Sequence, residues 1–174
     1  MKKVILLIYI LMTPLLCSAQ QWKFFGSYGV LHDVTWLYKA NAANFKLTMG
    51  AQTPQDCFIL ATSFEVCFYN WQANSRITAD NWRWGFYGGV NPLAFFVKNS
   101  FVNPYIIFDG GGTILYNIND PTMYYGGGLR VELGSDIMKF YIQDIIGTDY
   151  RLKSKTALNG NKLEIGVSFA IPIN

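Results

Sequence analysis

The sequence predicts an all-β chain: an eight-stranded antiparallel up-and-down transmembrane β-barrel following an N-terminal signal peptide. Three observations predict it. Near the end of the chain, Lys162-Leu163-Glu164-Ile165-Gly166-Val167-Ser168-Phe169-Ala170-Ile171-Pro172-Ile173 places a large apolar side chain at every odd position and charged or small residues between them. A period of two is a strand with two unlike faces. The same alternation returns in seven earlier segments. Composition agrees: aromatics at 17% and 16 glycines are high, and charged residues at 14% fall well below the soluble norm of about 25%. That balance suits a β protein with an apolar exterior.

The N-terminus reads as a secretory leader over residues 1–19. Lys2 and Lys3 form a positive start, residues 4–16 an apolar run, and Cys17-Ser18-Ala19 a small-residue cleavage site before Gln20. The run is too short for a spanning helix. Cys17 raises the rival reading of a lipid-anchored chain, but Leu16 stands where lipoprotein signals want a small residue. Residues 20–174 then form one barrel domain. The net charge of +3 includes Lys2 and Lys3, which leave with the leader, so nothing argues for nucleic acid.

Strand one covers 22–30, with Trp22, Phe24, Tyr28 and Val30 on one face and Lys23, Phe25 and Ser27 on the other. Residues 31–43 read as a loop. Strand two, 44–51, sets Phe45, Leu47, Met49 and Ala51 against Asn44, Lys46, Thr48 and Gly50, and a turn follows at 53–56. Strand three, 57–69, carries Phe58, Leu60, Phe64, Val66 and Phe68 opposite Ala61, Ser63 and Glu65. After a polar loop at 70–81, strand four, 82–90, carries Trp82, Trp84, Phe86 and Val90 opposite Arg83 and Tyr87.

Residues 91–103 hold two prolines and read equally as a strand extension or a short helix. Strand five, about 104–116, sets Ile106, Phe108, Ile114 and Tyr116 against Asp109 and Thr113. Strand six, 123–133, sets Tyr125, Leu129, Val131 and Leu133 against Tyr124, Arg130 and Glu132. Strand seven, 137–146, follows a turn at 134–136; Met138, Phe140 and Ile142 oppose Lys139, Tyr141 and Gln143. A long polar loop at 148–161 precedes the closing strand. Short turns at one end and long loops at the other mark a membrane barrel. Cys57 and Cys67 fall ten residues apart on one strand, about 33 Å, too far for a disulfide, so both are expected as free thiols.

The second face decides which way the barrel is polarised. With the apolar set outward, the inward set holds Lys46, Arg83, Arg130 and Lys139 with Glu65, Asp109, Glu132 and Glu164, charges that cancel. The opposite choice would crowd many aromatic rings into a lumen that eight strands leave only just wide enough for ordinary side chains. Phe68, Tyr69, Trp71, Trp82, Trp84, Tyr116, Tyr124 and Tyr125 cluster near loop boundaries and are expected to form an interfacial girdle. Asp144 falls on the apolar face, which requires either a rim position or a bulge.

Candidates for chemistry are few. His32 and Asp33 are the weak catalytic candidates, a general base in an outer loop, but no nucleophile or metal-ligand spacing accompanies them. Asp109-Gly110-Gly111-Gly112 lacks the Lys-Ser/Thr of a phosphate loop; its glycines, like Gly126-Gly127-Gly128, are expected to relieve crowding in the wall. No cofactor and no metal are expected.

This layout resembles the small outer-membrane barrels of Gram-negative bacteria, and the leader ending Cys17-Ser18-Ala19-Gln20 resembles those of Bacteroidetes. More narrowly, Gly89-Val90-Asn91-Pro92-Leu93, then Asn103-Pro104-Tyr105-Ile106-Ile107-Phe108-Asp109-Gly110-Gly111-Gly112 and Gly127-Gly128-Leu129-Arg130-Val131-Glu132-Leu133, is similar to the order in lipid A 3-O-deacylase-like barrels. That family's His-x-Ser-Asn stretch would fall on strand seven, where this chain has Tyr141-Ile142-Gln143-Asp144. Ser–His ester hydrolysis is therefore not carried over. The resemblance implies an outer-membrane location, contact with outer-membrane lipid and lipopolysaccharide, and insertion by the barrel-assembly machinery. The expected role is structural, or interaction through outer loops. The alternatives are a lipid A-modifying acyl hydrolase or acyltransferase using His32 and Asp33, and a soluble secreted ligand-binding barrel.

Overall fold

The computed structural model describes residues 22–33, 43–69, 78–97, 100–113, 121–135 and 137–173. The expected leader lies outside them. The strands are β1 (Lys23–Asp33), β2 (Ala43–Gln52), β3 (Phe58–Tyr69), β4 (Thr78–Val90), β5 (Val102–Thr113), β6 (Thr122–Gly134), β7 (Met138–Arg151) and β8 (Thr156–Pro172). Each pairs antiparallel with its sequence neighbour, and β1 also pairs with β8, so the sheet closes on itself as an eight-stranded barrel. Closure removes the unpaired edges that an open sheet exposes.

The connectors are fixed by local chemistry. Between β2 and β3 the Thr53 hydroxyl accepts the backbone N–H groups of Cys57 and Phe58, each at 3.0 Å. Asp56 takes φ 57°, a left-handed value that Asp and Asn tolerate better than most residues. Gly134, at φ 146°, turns the chain from β6 toward β7. The 91–103 segment resolves as a short 3-10 helix, Leu93–Phe95, before β5 begins at Val102. Asn91 organises it, its Oδ1 accepting the N–H groups of Leu93 (3.0 Å) and Ala94 (3.2 Å).

Several boundaries differ from the sequence expectation. β1 continues through His32 and Asp33, whose backbone pairs with Leu163 and Lys162 of β8, so these residues end a strand rather than occupy a loop. β3 starts at Phe58, leaving Cys57 in the turn. β4 begins at Thr78, and a register shift between Cys67 and Phe68 absorbs one extra residue. The largest correction is at 148–161. No long loop exists there: β7 runs to Arg151, β8 starts at Thr156, and a tight turn joins them with Lys155 at φ 54°.

The faces follow the pleat. Outward positions are apolar and exposed: Leu60, Phe86, Ile106, Leu129, Phe140 and Ile165 among them, with Leu129 at 65% and Phe86 at 63%. Inward positions are buried and mostly polar or aromatic, with Ile59, Ile107 and Ile145 among them. The apolar belt has an upper edge on the β7–β8 side. There Asn161 Nδ2 donates to Asp144 Oδ1 at 3.4 Å, and beyond it Thr148 Oγ1 donates to Asn159 at 2.8 Å. Asp144 thus lies near the edge of the belt, one outward step before the exposed Ile146, and its pairings run without a bulge.

Candidate functional site

The barrel wall turns one face of every strand toward a single axis, and the residues collected there form one connected polar network. All eight charged positions expected in the lumen are inside: Lys46, Glu65, Arg83, Asp109, Arg130, Glu132, Lys139 and Glu164 are each exposed by 3% or less. Burying a charge is costly unless it is paired and hydrogen-bonded, and the geometry supplies partners.

In the middle of the lumen, Lys46 on β2 donates to Asp109 Oδ2 on β5 and lies 3.9 Å from Glu164 on β8. Ser63 Oγ donates to the other Asp109 oxygen at 3.2 Å and lies 3.3 Å from the Tyr124 hydroxyl. Glu164 accepts the Tyr141 hydroxyl and the Gln143 amide. Gln143 Oε1 in turn accepts from the Tyr87 hydroxyl (3.0 Å) and Arg130 Nη1 (3.3 Å).

Arg130 is the hub below this. Its Nε and Nη2 reach Glu132 Oε1 at 2.9 and 2.7 Å, and its guanidinium carbon sits 3.6 Å from the centre of the Tyr141 ring. A planar, weakly hydrated cation suits such stacking better than lysine does. Ser168 Oγ donates to the same Glu132 oxygen at 2.9 Å, and Lys139 lies 3.7 Å from the other. Lys139 then reaches Asp56 Oδ2 at 2.8 Å, while Lys23 reaches Asp56 Oδ1 at 2.9 Å. At the opposite end, Glu65 lies 3.9 Å from Arg83 and 3.6 Å from Lys162, and both cations approach the Tyr124 ring. The chain of contacts therefore runs the length of the lumen.

Small residues make the room. A side chain at Gly85 would come within 2.6 Å of the Tyr124 hydroxyl, and one at Gly166 within 2.7 Å of Tyr141 Cζ. The wall glycines therefore seat lumen tyrosines as well as relieving strand crowding. Below them Phe25, Ile59, Tyr87, Tyr105, Ile107 and Ile145 form an apolar cluster, with Gln52 donating to the Tyr105 hydroxyl at 2.7 Å.

Sequence reasoning missed Asp56, Lys23 and Lys162 as members of the network. The last two share the inward face of their strands with assigned positions, so the pleat itself could have found them. Sequence reasoning also grouped Tyr124 with the interfacial girdle while its strand alternation set the ring beside Arg130 and Glu132; the ring is inside, 5% exposed, as the alternation required. Trp84 and Tyr125 do face outward, and Trp82 is half-buried. The side chains of Phe68, Tyr69, Trp71, Tyr116, Cys67, His32 and Asp33 lie outside the described residues. Cys57 is a free, buried thiol.

Fold and site together define a class: a closed antiparallel barrel with charge inside and grease outside. No protein-family model and no curated protein matches the sequence. Among solved structures, the crystal structure of Neisserial surface protein A (NspA) is similar, at 14% identity and a TM-score of 0.49, over 90% of this chain and 99% of that one.

Proposed function

We propose that this chain is an integral outer-membrane barrel with a sealed polar core, acting structurally or through contacts made by its outer loops. The inversion of polarity carries the reading. Soluble monomers rarely expose contiguous apolar patches above a few hundred Å², whereas here the outward residues of every strand are apolar over a continuous belt. On β8 the belt runs from Leu163 to Ile173, ten steps of about 3.3 Å. With a strand tilt of about 40°, that projects to roughly 25 Å, the height of a barrel's lipid-facing band. A soluble ligand-binding barrel requires the reverse arrangement.

The lumen supports a plug rather than a pore. Eight strands leave room for side chains only, and the network from Glu65 to Asp56 fills that room with paired charges. Removal of a leader after Ala19, delivery to the barrel-assembly machinery and residence among outer-membrane lipid and lipopolysaccharide belong to the same proposal. So does a Bacteroidetes-type ancestry shared with lipid A 3-O-deacylase-like barrels. The ancestry comes without the Ser–His activity, since β7 carries Tyr141-Ile142-Gln143-Asp144 in place of the His-x-Ser-Asn stretch. Expression in a Gram-negative host tests this. The chain should fractionate with outer membranes, migrate differently before and after boiling, and leave the mass of lipid A unchanged. Release in soluble form without detergent would defeat the proposal.

A further inference from the structure

At the rim that carries Trp22 and Ile173, the apolar surface does not stop with the strands. β4 ends on outward Val90, and β5 begins with Val102, exposed and paired with outward Leu133. Between them the connector presents Phe95, Phe96, Val97 and Phe101, with Phe96 at 88% exposure and Phe101 at 68%. These exposures are built in. Asn91 grips the start of the turn through Leu93 and Ala94, its Nδ2 donates to Asn103 Oδ1 at 3.1 Å, and Asn103 Nδ2 donates to the Ser100 carbonyl at 2.8 Å. Phe96 and Val97 donate their N–H groups to the Leu93 carbonyl, and Ala94 is buried under the turn. The clasp fixes the backbone so that the large rings point away from the barrel.

We propose that this connector is a membrane-interface anchor whose partner is the phospholipid leaflet on the side of Trp22 and Ile173. It rests on the membrane reading above. Continuity selects lipid over a protein partner. Phe95 packs edge-on against Phe58, at 5.7 Å between ring centres, and Phe58 begins the outward face of β3. Phe101 carries the wall ladder one step past β5, its carbonyl accepting the Gly134 N–H at 3.1 Å. Ile137, just before β7 at the same rim, is 65% exposed. The aromatic turn therefore extends the lipid-facing belt around one side of the rim, where its apolar rings enter the acyl chains at the headgroup boundary. It holds the barrel at a fixed depth.

Spin labelling tests it. In the mature chain with Cys57 and Cys67 replaced by serine, single labels are placed through Phe96→Cys, Ile106→Cys and Ser154→Cys, and the folded protein is reconstituted in pure phospholipid bilayers. The anchor predicts that the Phe96 label relaxes with dissolved oxygen in preference to an aqueous nickel chelate, as at Ile106 and opposite to Ser154. A chelate-accessible Phe96 label beside a lipid-exposed Ile106 label overturns the anchor, leaves the barrel reading intact and points to a protein partner for this rim. Chelate access at Ile106 as well overturns both. If the Phe96→Cys chain fails the heat-modifiable migration check, Phe101→Cys takes its place with the same expectations.

Discussion

Lys139 Nζ lies 2.8 Å from Asp56 Oδ2, joining the inner wall of β7 to the β2–β3 turn across 83 residues of sequence. Lys23 holds the other oxygen of the same carboxylate at 2.9 Å. One turn carboxylate thus bridges two lysines at the end of the lumen where Trp22 and Ile173 lie.

Removing that charge should loosen the rim. Asp56→Asn keeps the left-handed backbone, which Asn also tolerates, and leaves two ammonium groups without their shared counter-ion. Breaking a buried pair costs about 3–5 kcal/mol; with the rim partly open, about 2–3 kcal/mol is expected. Urea unfolding of the protein in vesicles, followed by gel migration, should show the midpoint fall. An unchanged midpoint would mean the pair contributes nothing there.

The Lys46–Asp109 pair should behave as a coupled unit. Lys46→Met strands Asp109 and Asp109→Leu strands Lys46, so each single change should cost about 3–5 kcal/mol, while the double change should recover much of the loss. A double-mutant cycle on folding free energy measures this. Simple additivity would show that the two side chains are stabilised independently, Asp109 by Ser63 and Lys46 by Glu164.

The Cys57 thiol should be slow to react. Burial, and then the nearby Asp56 charge, push its pKa above the ordinary value. Only the thiolate is nucleophilic, so alkylation of the folded chain at pH 7 should lag well behind the unfolded chain and quicken as pH rises. Mass spectrometry in a Cys67→Ser background follows it. Equal rates for folded and unfolded chains would show that the turn opens freely.

The wall was legible in the sequence because a barrel with unlike faces writes its pleat directly into alternation. Once the period is two, Lys46, Arg83 and Glu164 must share a face with Thr48, Tyr87 and Ser168. Legibility failed where that contrast vanishes. Beyond the Ile146–Asn161 pair the β7–β8 hairpin no longer bears the apolar belt, so Thr148 and Asn159 carry no alternation and only backbone pairing reveals the strands. Asp56 was read as turn chemistry because its second role depends on Lys139, far away in sequence. For Tyr124 the alternation was right and the girdle grouping with Tyr125 wrong, because adjacent strand residues face opposite sides.

In the proposed barrel the outward face of the wall meets hydrocarbon, and Trp84, outward on β4 and 48% exposed, reports on it directly. In a chain whose other tryptophans are replaced by phenylalanine, folded into vesicles, blue-shifted emission is expected. Lipids brominated along their acyl chains should quench it strongly, and aqueous iodide should scarcely do so. Emission at the wavelength of hydrated indole, quenched by iodide and indifferent to bromolipid, would contradict the proposal.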